Sequence, residues 1–379
     1  MQSLEAFAVA KLEDLAARGL ERRPIVTHRR AGGVVERDGR RLISFCCNDY
    51  LGLSHHPAVK AAAMAAVETY GAGAAASRLV TGDHPLLSAL EARLARLKGT
   101  EAACVFGSGY LANTGIIPTL VGPGDLVLLD AFSHACQMAG AQISGAKIQR
   151  FPHNDAAFVA KALAARTGGR ALVATDGVFS MDGDVAPLEA LSAACEASDA
   201  WLLVDDAHGV GVLGDGRGAV HASGVTVPLQ MGTLSKAVGG YGGYLCASGA
   251  VIDLMKSRAR TLVYSTGLPP AAVGAAVAAL EIIEAAPSLC AAPLRKARLF
   301  TEALGLPPAQ SAIVPVIVGA ADDALADSAR LAEQGFLVTA IRPPTVPTGA
   351  ARLRVTFSAV HEDADILRLA DAVRALEHA

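Results

Sequence analysis

The chain has 379 residues, 52% of them apolar, with 33 basic side chains against 36 acidic ones for a net charge of −3. Such a composition excludes a disordered chain, supplies core for one large or two modest domains, and argues against nucleic acid or an anionic membrane as the main partner. With only 4% aromatic residues but 38 glycines, and with alanine dominating the apolar share, it points to Ala-lined helices on a sheet, an α/β enzyme acting on small molecules.

From the start, Leu4, Phe7, Ala8, Leu12 and Leu15 fall on one helical face, while Glu5, Lys11, Glu13 and Asp14 interrupt any signal-peptide-like run. Short apolar runs then alternate with helical patterns: 103–106, 125–130, 147–151, 171–176, 201–206, 228–234 and 243–248 read as strands, 155–167 and 187–198 as helices. This alternation predicts a mostly parallel sheet covered on both faces. A long Ala-rich helix follows Pro269-Pro270 and stops at Pro287; its core, 271–283, is too short for a membrane span and carries Glu281. Strands at 311–319, 335–341 and 352–358, a helix over 324–334 and a terminal helix from Asp363 to Glu377 predict a small α+β domain. The boundaries expected are 1–47 for an N-terminal helix and arm, 48–270 for the large domain and 271–379 for the linking helix and small domain. Seven cysteines without C-x-x-C spacing suggest neither disulfides nor zinc, and a reducing cytoplasm. The ten dispersed histidines give no metal-ligand spacing.

Ligands of α/β sheets gather at the carboxyl ends of the strands. There, Gly107-Ser108-Gly109-Tyr110 opens a helix after a strand, a turn whose amides suit a phosphate; equally it is a tight turn, and it matches neither a P-loop nor a dinucleotide fingerprint. Asp205-Asp206 ends an apolar strand. A buried carboxylate needs a partner such as a protonated heterocyclic nitrogen, although a capping role is the plainer reading, and strand alternation predicts one of the two inside and the other out. Lys236 lies beyond another strand among small residues, where desolvation can make its amine a nucleophile. His134 and Ser180 follow two further strands. Phosphate cradle, strand-end Asp and enclosed Lys, in that order, are the parts needed to hold pyridoxal 5′-phosphate.

The segments NDYLGLSHHP (48–57), FGSGYLAN (106–113), GVFSMDGD (177–184), VDDAHGVGVLG (204–214), GTLSKAVGG (232–240), YSTGLPP (264–270) and ARLRVTFSAVHE (351–362) resemble the α-oxoamine synthase family of fold-type I pyridoxal-phosphate transferases, over roughly residues 40 to 379. The string Arg342-Pro343-Pro344-Thr345-Val346-Pro347 resembles the branch that condenses L-alanine with a pimeloyl thioester, on coenzyme A or acyl carrier protein, in biotin biosynthesis. Glycine-using members, of the 2-amino-3-ketobutyrate ligase or 5-aminolevulinate synthase type, form the alternative. Ala74, Ala75 and Ala76 stand where relatives often have Gly or Ser. The resemblance implies that Lys236 binds the cofactor covalently and later acts as base, that Asp205 pairs with the ring nitrogen, that His134 stacks on the ring, and that Ser180 and His208 flank its phenolic oxygen. It further implies phosphate contacts from Gly109, Tyr110 and Thr233, and from Ser265 and Thr266 of the neighbouring subunit of a homodimer with shared sites. Asn48 and Arg354 would hold the amino-acid carboxylate, Thr345 would face the acyl substrate, and Arg22 would meet the far carboxylate of the acyl chain.

Overall fold

The computed structural model describes residues 2–376. Helix α1 (Gln2–Ala17) comes first, but none of its residues is buried and Leu4, Phe7 and Leu12 of its predicted apolar face are exposed. Strands β1 (His28–Arg29), β2 (Val34–Arg37) and β3 (Arg40–Ser44) follow as an antiparallel set, so the expected arm is in part a sheet. Helices α2 (Pro57–Tyr70) and α3 (Pro85–Lys98) lead into the main sheet.

That sheet has seven strands: β4 (Ala102–Phe106), β5 (Leu126–Asp130), β6 (Lys147–Phe151), β7 (Ala171–Asp176), β8 (Trp201–Asp205), β9 (Leu229–Thr233) and β10 (Gly243–Ala247), in the order β4-β10-β9-β8-β7-β5-β6. Only β10 runs against its neighbours, so the mostly parallel prediction holds. Alternation along each strand divides the core in two. Leu126 and Leu128 of β5 join the layer made with α3, while Val127 and Leu129 join the opposite layer. The covering helices are α4 (Gly109–Leu120), α5 (Ala135–Ser144), α6 (Ala156–Ala164), α7 (Leu188–Glu196), α8 (Ala219–Ser223), α9 (Gly249–Arg258), α10 (Arg260–Val263) and α11 (Pro270–Ala285). With both faces dry, near-continuous Val and Leu strands are what such a sheet requires.

Pro287 stops α11 as expected, but it also opens α12 (Pro287–Leu304), at 82° to α11; a proline at a first helical position costs no hydrogen bond, so one residue ends one helix and starts the next. Beyond it come β11 (Ile313–Gly319), α13 (Ala321–Glu333), β12 (Phe336–Leu337), β13 (Thr339–Ile341), β14 (Ala351–Thr356) and α14 (Asp363–Arg374). Glu377, the expected end of the last helix, lies outside the described residues. The apolar run 335–341 is two strands rather than one: β12 pairs in parallel with β3, whereas β13 pairs with β14. Phe45, just after β3, consequently sits in the small unit's core, 5.8 Å from Phe357 and 6.1 Å from Phe336. No single helix among the described residues is long and apolar enough to cross a membrane.

Candidate active site

The carboxyl ends of β4, β5, β7, β8 and β9 converge on a cavity of about 230 Å³ lined by Ser108, Gly109, Tyr110, His134, Asp176, Asp205, His208, Thr233 and Lys236, among others. Each residue arrives by a local rule. Ser108 caps α4, its Oγ accepting from the Leu111 amide at 3.1 Å, which leaves the Gly109 and Tyr110 amides without an acceptor in the described chain, as at any helix start. His134 caps α5 in the same way, accepting at Nδ1 from the Cys136 amide. After β9 the chain turns back through Gly239, with φ +73°; a side chain there would stand 2.5 Å from the Ser54 amide, so only glycine lets the Lys236 loop close.

Asp205 and Asp206 are both buried, against the expectation that one would face out. The alternation is present, but it chooses between two dry layers. Asp205 points to the α4 side, where Asn113 Nδ2 donates to its Oδ2 at 2.7 Å. Asp206 points to the α3 side, where Lys98 Nζ lies 2.6 Å from its Oδ2 and the Ala219 amide donates to Oδ1 at 3.0 Å. Asp205 is therefore left for the cavity and Asp206 is a structural ion. In register with Asp205 on the neighbouring strand stands Asp176, which accepts from Gln137 Nε2 at 2.5 Å and from the His134 amide at 3.3 Å. Burial, then the Asp205 charge, pushes the Asp176 carboxyl well above the usual range.

Lys236 Nζ lies 2.9 Å from His208 Nε2. Burial lowers the pKa of its amine, against the pull of Asp205 and Asp176, so the free-base form needed of a nucleophile is within reach. Burial and then the Lys236 charge hold His208 well below the ordinary range, as a neutral imidazole. On its other side His208 Nδ1 is 2.6 Å from the Tyr50 hydroxyl, which in turn is 3.3 Å from Asn48 Oδ1. Burial also lowers His134, leaving a flat, neutral ring at the cavity wall.

Arg354, only 7% exposed, donates through Nε to the Ser180 carbonyl at 2.5 Å and through both Nη atoms to Asn48 Oδ1 at 3.4 Å. Among the described residues no carboxylate pairs with it, whereas Arg352, two positions away on the same face of β14, pairs with Asp182. A buried guanidinium without its own anion is costly unless an anion arrives. Across His134 opens a second cavity, about 690 Å³, lined by Arg22, Phe132, His134, Arg150, Phe179, Ser180, Pro344, Thr345 and Val346, among others. Thr345 and Arg22 thus share one cavity wall with His134. Ser180 also lines this cavity rather than the Lys236 one, so it and His208 do not share a wall. Ser265 and Thr266 are apart from both, in a narrow cleft with Arg78 and Gly107.

Several participants escaped the sequence reading. Asp176 carries the signal that marked Asp205, a carboxylate closing an apolar strand. Asn113 is one helical turn beyond Gly109, on the face that the turn motif already defined. Ser235, beside Thr233 with hydroxyl oxygens 2.8 Å apart, adds a second hydroxyl to the cavity wall. Tyr50 lay inside a quoted motif without a role.

The site suits pyridoxal phosphate on its own chemistry. One cavity gathers two acceptor-free amides, the hydroxyls of Thr233 and Ser235, the Asp205 carboxylate, the lysine amine and an imidazole. The chain matches the aminotransferase class I and II family over residues 40–373. It is 67% identical over 99% of both chains to a putative 8-amino-7-oxononanoate synthase of Caulobacter vibrioides. It is 69% identical, over 89% of this chain and 97% of the relative, to the 8-amino-7-oxononanoate synthase of Methylocella silvestris. Among solved structures, serine palmitoyltransferase of S. paucimobilis with a bound PLP–myriocin aldimine superposes with a TM-score of 0.92 at 31% identity, over 99% of this chain and 98% of that one.

Proposed function

From the premise that the chain belongs to the aminotransferase class I and II family, as one of its pyridoxal-phosphate-dependent 8-amino-7-oxononanoate synthases, we propose how its residues divide the work of joining L-alanine to a pimeloyl thioester. The glycine-using alternative is not favoured. Lys236 anchors the cofactor through Nζ, Asp205 meets its ring nitrogen, and His134 lies on the ring face. The amides of Gly109 and Tyr110 and the hydroxyls of Thr233 and Ser235 hold the phosphate. Bound there, the cofactor supplies an electron-accepting ring that lets a Cα proton and later carbon dioxide depart. Arg354 and Asn48 would hold the alanine carboxylate and so aim its Cα hydrogen at Lys236, whose Nζ would serve as the base for that proton. Thr345 and its proline neighbours wall the acyl cavity, and Arg22 at its mouth meets the far carboxylate of the pimeloyl chain.

Two copies complete each other's phosphate sites, Ser265 and Thr266 reaching across. Supporting this, the cleft holding both residues adjoins the start of α4, and apolar side chains stand exposed nearby in the chain: Val80 at 75%, Tyr110 at 53% and Tyr264 at 78%. A cytoplasmic setting fits the seven free cysteines. The carrier of the acyl group is coenzyme A or an acyl carrier protein, the two arginines at the cavity suiting the anionic groups of either.

The observation that carries the reading is the buried Lys236, its Nζ 2.9 Å from His208 Nε2 in the cavity that Asp205 and Asp176 also line. Borohydride reduction followed by peptide mapping is expected to place the cofactor on Lys236 alone, and Lys236→Ala is expected to lose that attachment together with turnover of alanine and pimeloyl-coenzyme A. A label on a different lysine, or faster turnover with glycine and succinyl- or acetyl-coenzyme A, contradicts it.

A further inference from the structure

We infer that His153 is a positioning residue: it ties together the ends of three neighbouring strands, holds Phe132 and Phe179 as walls of the acyl cavity, and so sets which acyl chains that cavity prefers. The inference deepens the function proposed above and rests on its assignment of that cavity. Strands β7, β5 and β6 lie side by side in that order, with β6 at the edge of the sheet, and being parallel they end on the same side. Beyond β6 the chain turns through Asn154, whose left-handed φ of +59° is one that asparagine tolerates, and His153 meets the end of β5. Its Nδ1 lies 2.9 Å from Asp130 Oδ1, and its Nε2 lies 2.8 Å from Asp184 Oδ2 in the loop after β7. An ionised carboxylate only accepts, so both ring nitrogens donate and the ring is an imidazolium. Asn154 serves the same two carboxylates: its Nδ2, 3.3 Å from His153 Nε2, donates to Asp184 Oδ2 at 2.8 Å, and its amide donates to Asp130 Oδ2 at 2.8 Å. The Asp130 side chain has no exposed surface, and a carboxylate buried there without a cation would be costly.

The cation also touches both aromatic walls. Phe132 stacks on the imidazolium with ring centroids 4.5 Å apart and planes at 28°, and Phe179 meets it at 4.4 Å and 85°. Both phenyl rings line the cavity of about 690 Å³ together with Thr345 and Arg22, and His153 acts on that cavity through them. Phe132 is 43% exposed; a cation stacked on its face restrains a ring that solvent would leave free to turn, while its amide donates to Asp130 Oδ1 at 2.8 Å. Phe179 is buried, and its loop is closed by its own amide on the Asp184 carbonyl at 3.0 Å and by the Gly183 amide on its carbonyl at 2.8 Å. One cluster thus holds the segment that leads into His134 and the segment that carries Ser180.

The test uses the loaded enzyme and reads the acyl and amino-acid sides separately. His153→Gln removes ring and charge. Asp184→Ala releases the imidazolium from one wall and leaves the buried Asp130 pair intact, so it gives the answer even if His153→Gln does not fold. In each, the KM for pimeloyl-coenzyme A is expected to rise about tenfold, as for one charge-assisted hydrogen bond, and the preference for it over suberoyl-coenzyme A in kcat/KM to fall about fivefold. The KM for alanine is expected to stay within about twofold, and the absorbance of the cofactor on Lys236 to stay unchanged. A merely structural role moves both substrates together, so parallel rises in the two KM values overturn the proposal, as does an unchanged chain preference in a folded variant. Thr345→Trp, which fills the same cavity from another wall, separates the two possible failures. If it raises the acyl KM while the His153 and Asp184 variants do not, the inference falls and the cavity assignment stands; if it does not, the cavity assignment is wrong and the inference falls with it.

Discussion

Replacing Lys98 with methionine keeps the length of the side chain and removes the charge that lies 2.6 Å from Asp206, in a pair with neither side chain exposed. At that separation the attraction is about 6 kcal/mol for an effective dielectric of ~20. Desolvation of the two ions cancels much of it in the intact protein, and breaking such a pair from one side costs about 3–5 kcal/mol because a charge is stranded. With an unfolding entropy of about 2.1 cal/mol/K per residue over 379 residues, the melting temperature is expected to fall by roughly 4–6 °C at neutral pH. The loss has a signature. Burial already raises the Asp206 carboxyl and Lys98 opposes this; without Lys98 the carboxyl folds protonated, taking up a proton that the unfolded chain releases above pH ~3.9. A raised folded pKa means that stability falls as pH rises, by about 1.4 kcal/mol per unit. The deficit of Lys98→Met against wild type is therefore expected to shrink from pH 8 to pH 5 in guanidinium denaturation. Equal melting temperatures, or a deficit that does not change with pH, would refute the reasoning.

Two further outcomes follow from the same structure. His153 is clasped by Asp130 at 2.9 Å and Asp184 at 2.8 Å; burial lowers its pKa, but these bonds outweigh it and push it up to about 10. Its stabilisation is complete below the unfolded value of about 6.5 and drains away as pH rises through about 10, so urea denaturation at pH 7 and pH 10 should show a loss in wild type that His153→Gln lacks; parallel losses would contradict the assignment. Arg354→Lys keeps the charge but not the two-pronged donor, and is expected to raise the KM for alanine by about tenfold or more; a KM within twofold of wild type in steady-state assays would remove Arg354 from the carboxylate site.

Most of the architecture was legible because a doubly covered sheet writes itself as apolar runs separated by helical periods. What escaped were features set by contacts remote in sequence. Helix α12 was hidden because Pro287 reads as a stop and only its context makes it also a start. The run 335–341 looks like one strand, since nothing local reveals that its two halves join different sheets. At the site, Lys236, Asp205 and His134 were visible from strand ends and motif spacing. Asn113, Tyr50 and Asp176 were not singled out, because an amide, a phenol or a carboxyl gains a role only from what folding places against it. Asp206 shows the converse: alternation correctly separated it from Asp205, but burial depended on Lys98, 108 positions earlier.

The pairing of β3 with β12 sets an order on biosynthesis. Phe45 emerges from the ribosome about 300 residues before Phe336 and Phe357, the rings it finally packs between, a gap of about 15–60 s at ordinary rates of translation. Throughout that interval β3 has β2 on one side, but its other edge at Ile43 and Ser44, with Phe45 beyond it, lacks its native mate, while Asn48 and Tyr50, just downstream, await the strand that brings Arg354 to them. Catalytic competence is thus the last thing the nascent chain acquires, and the stretch around residue 43 is where a holdase chaperone has most to guard.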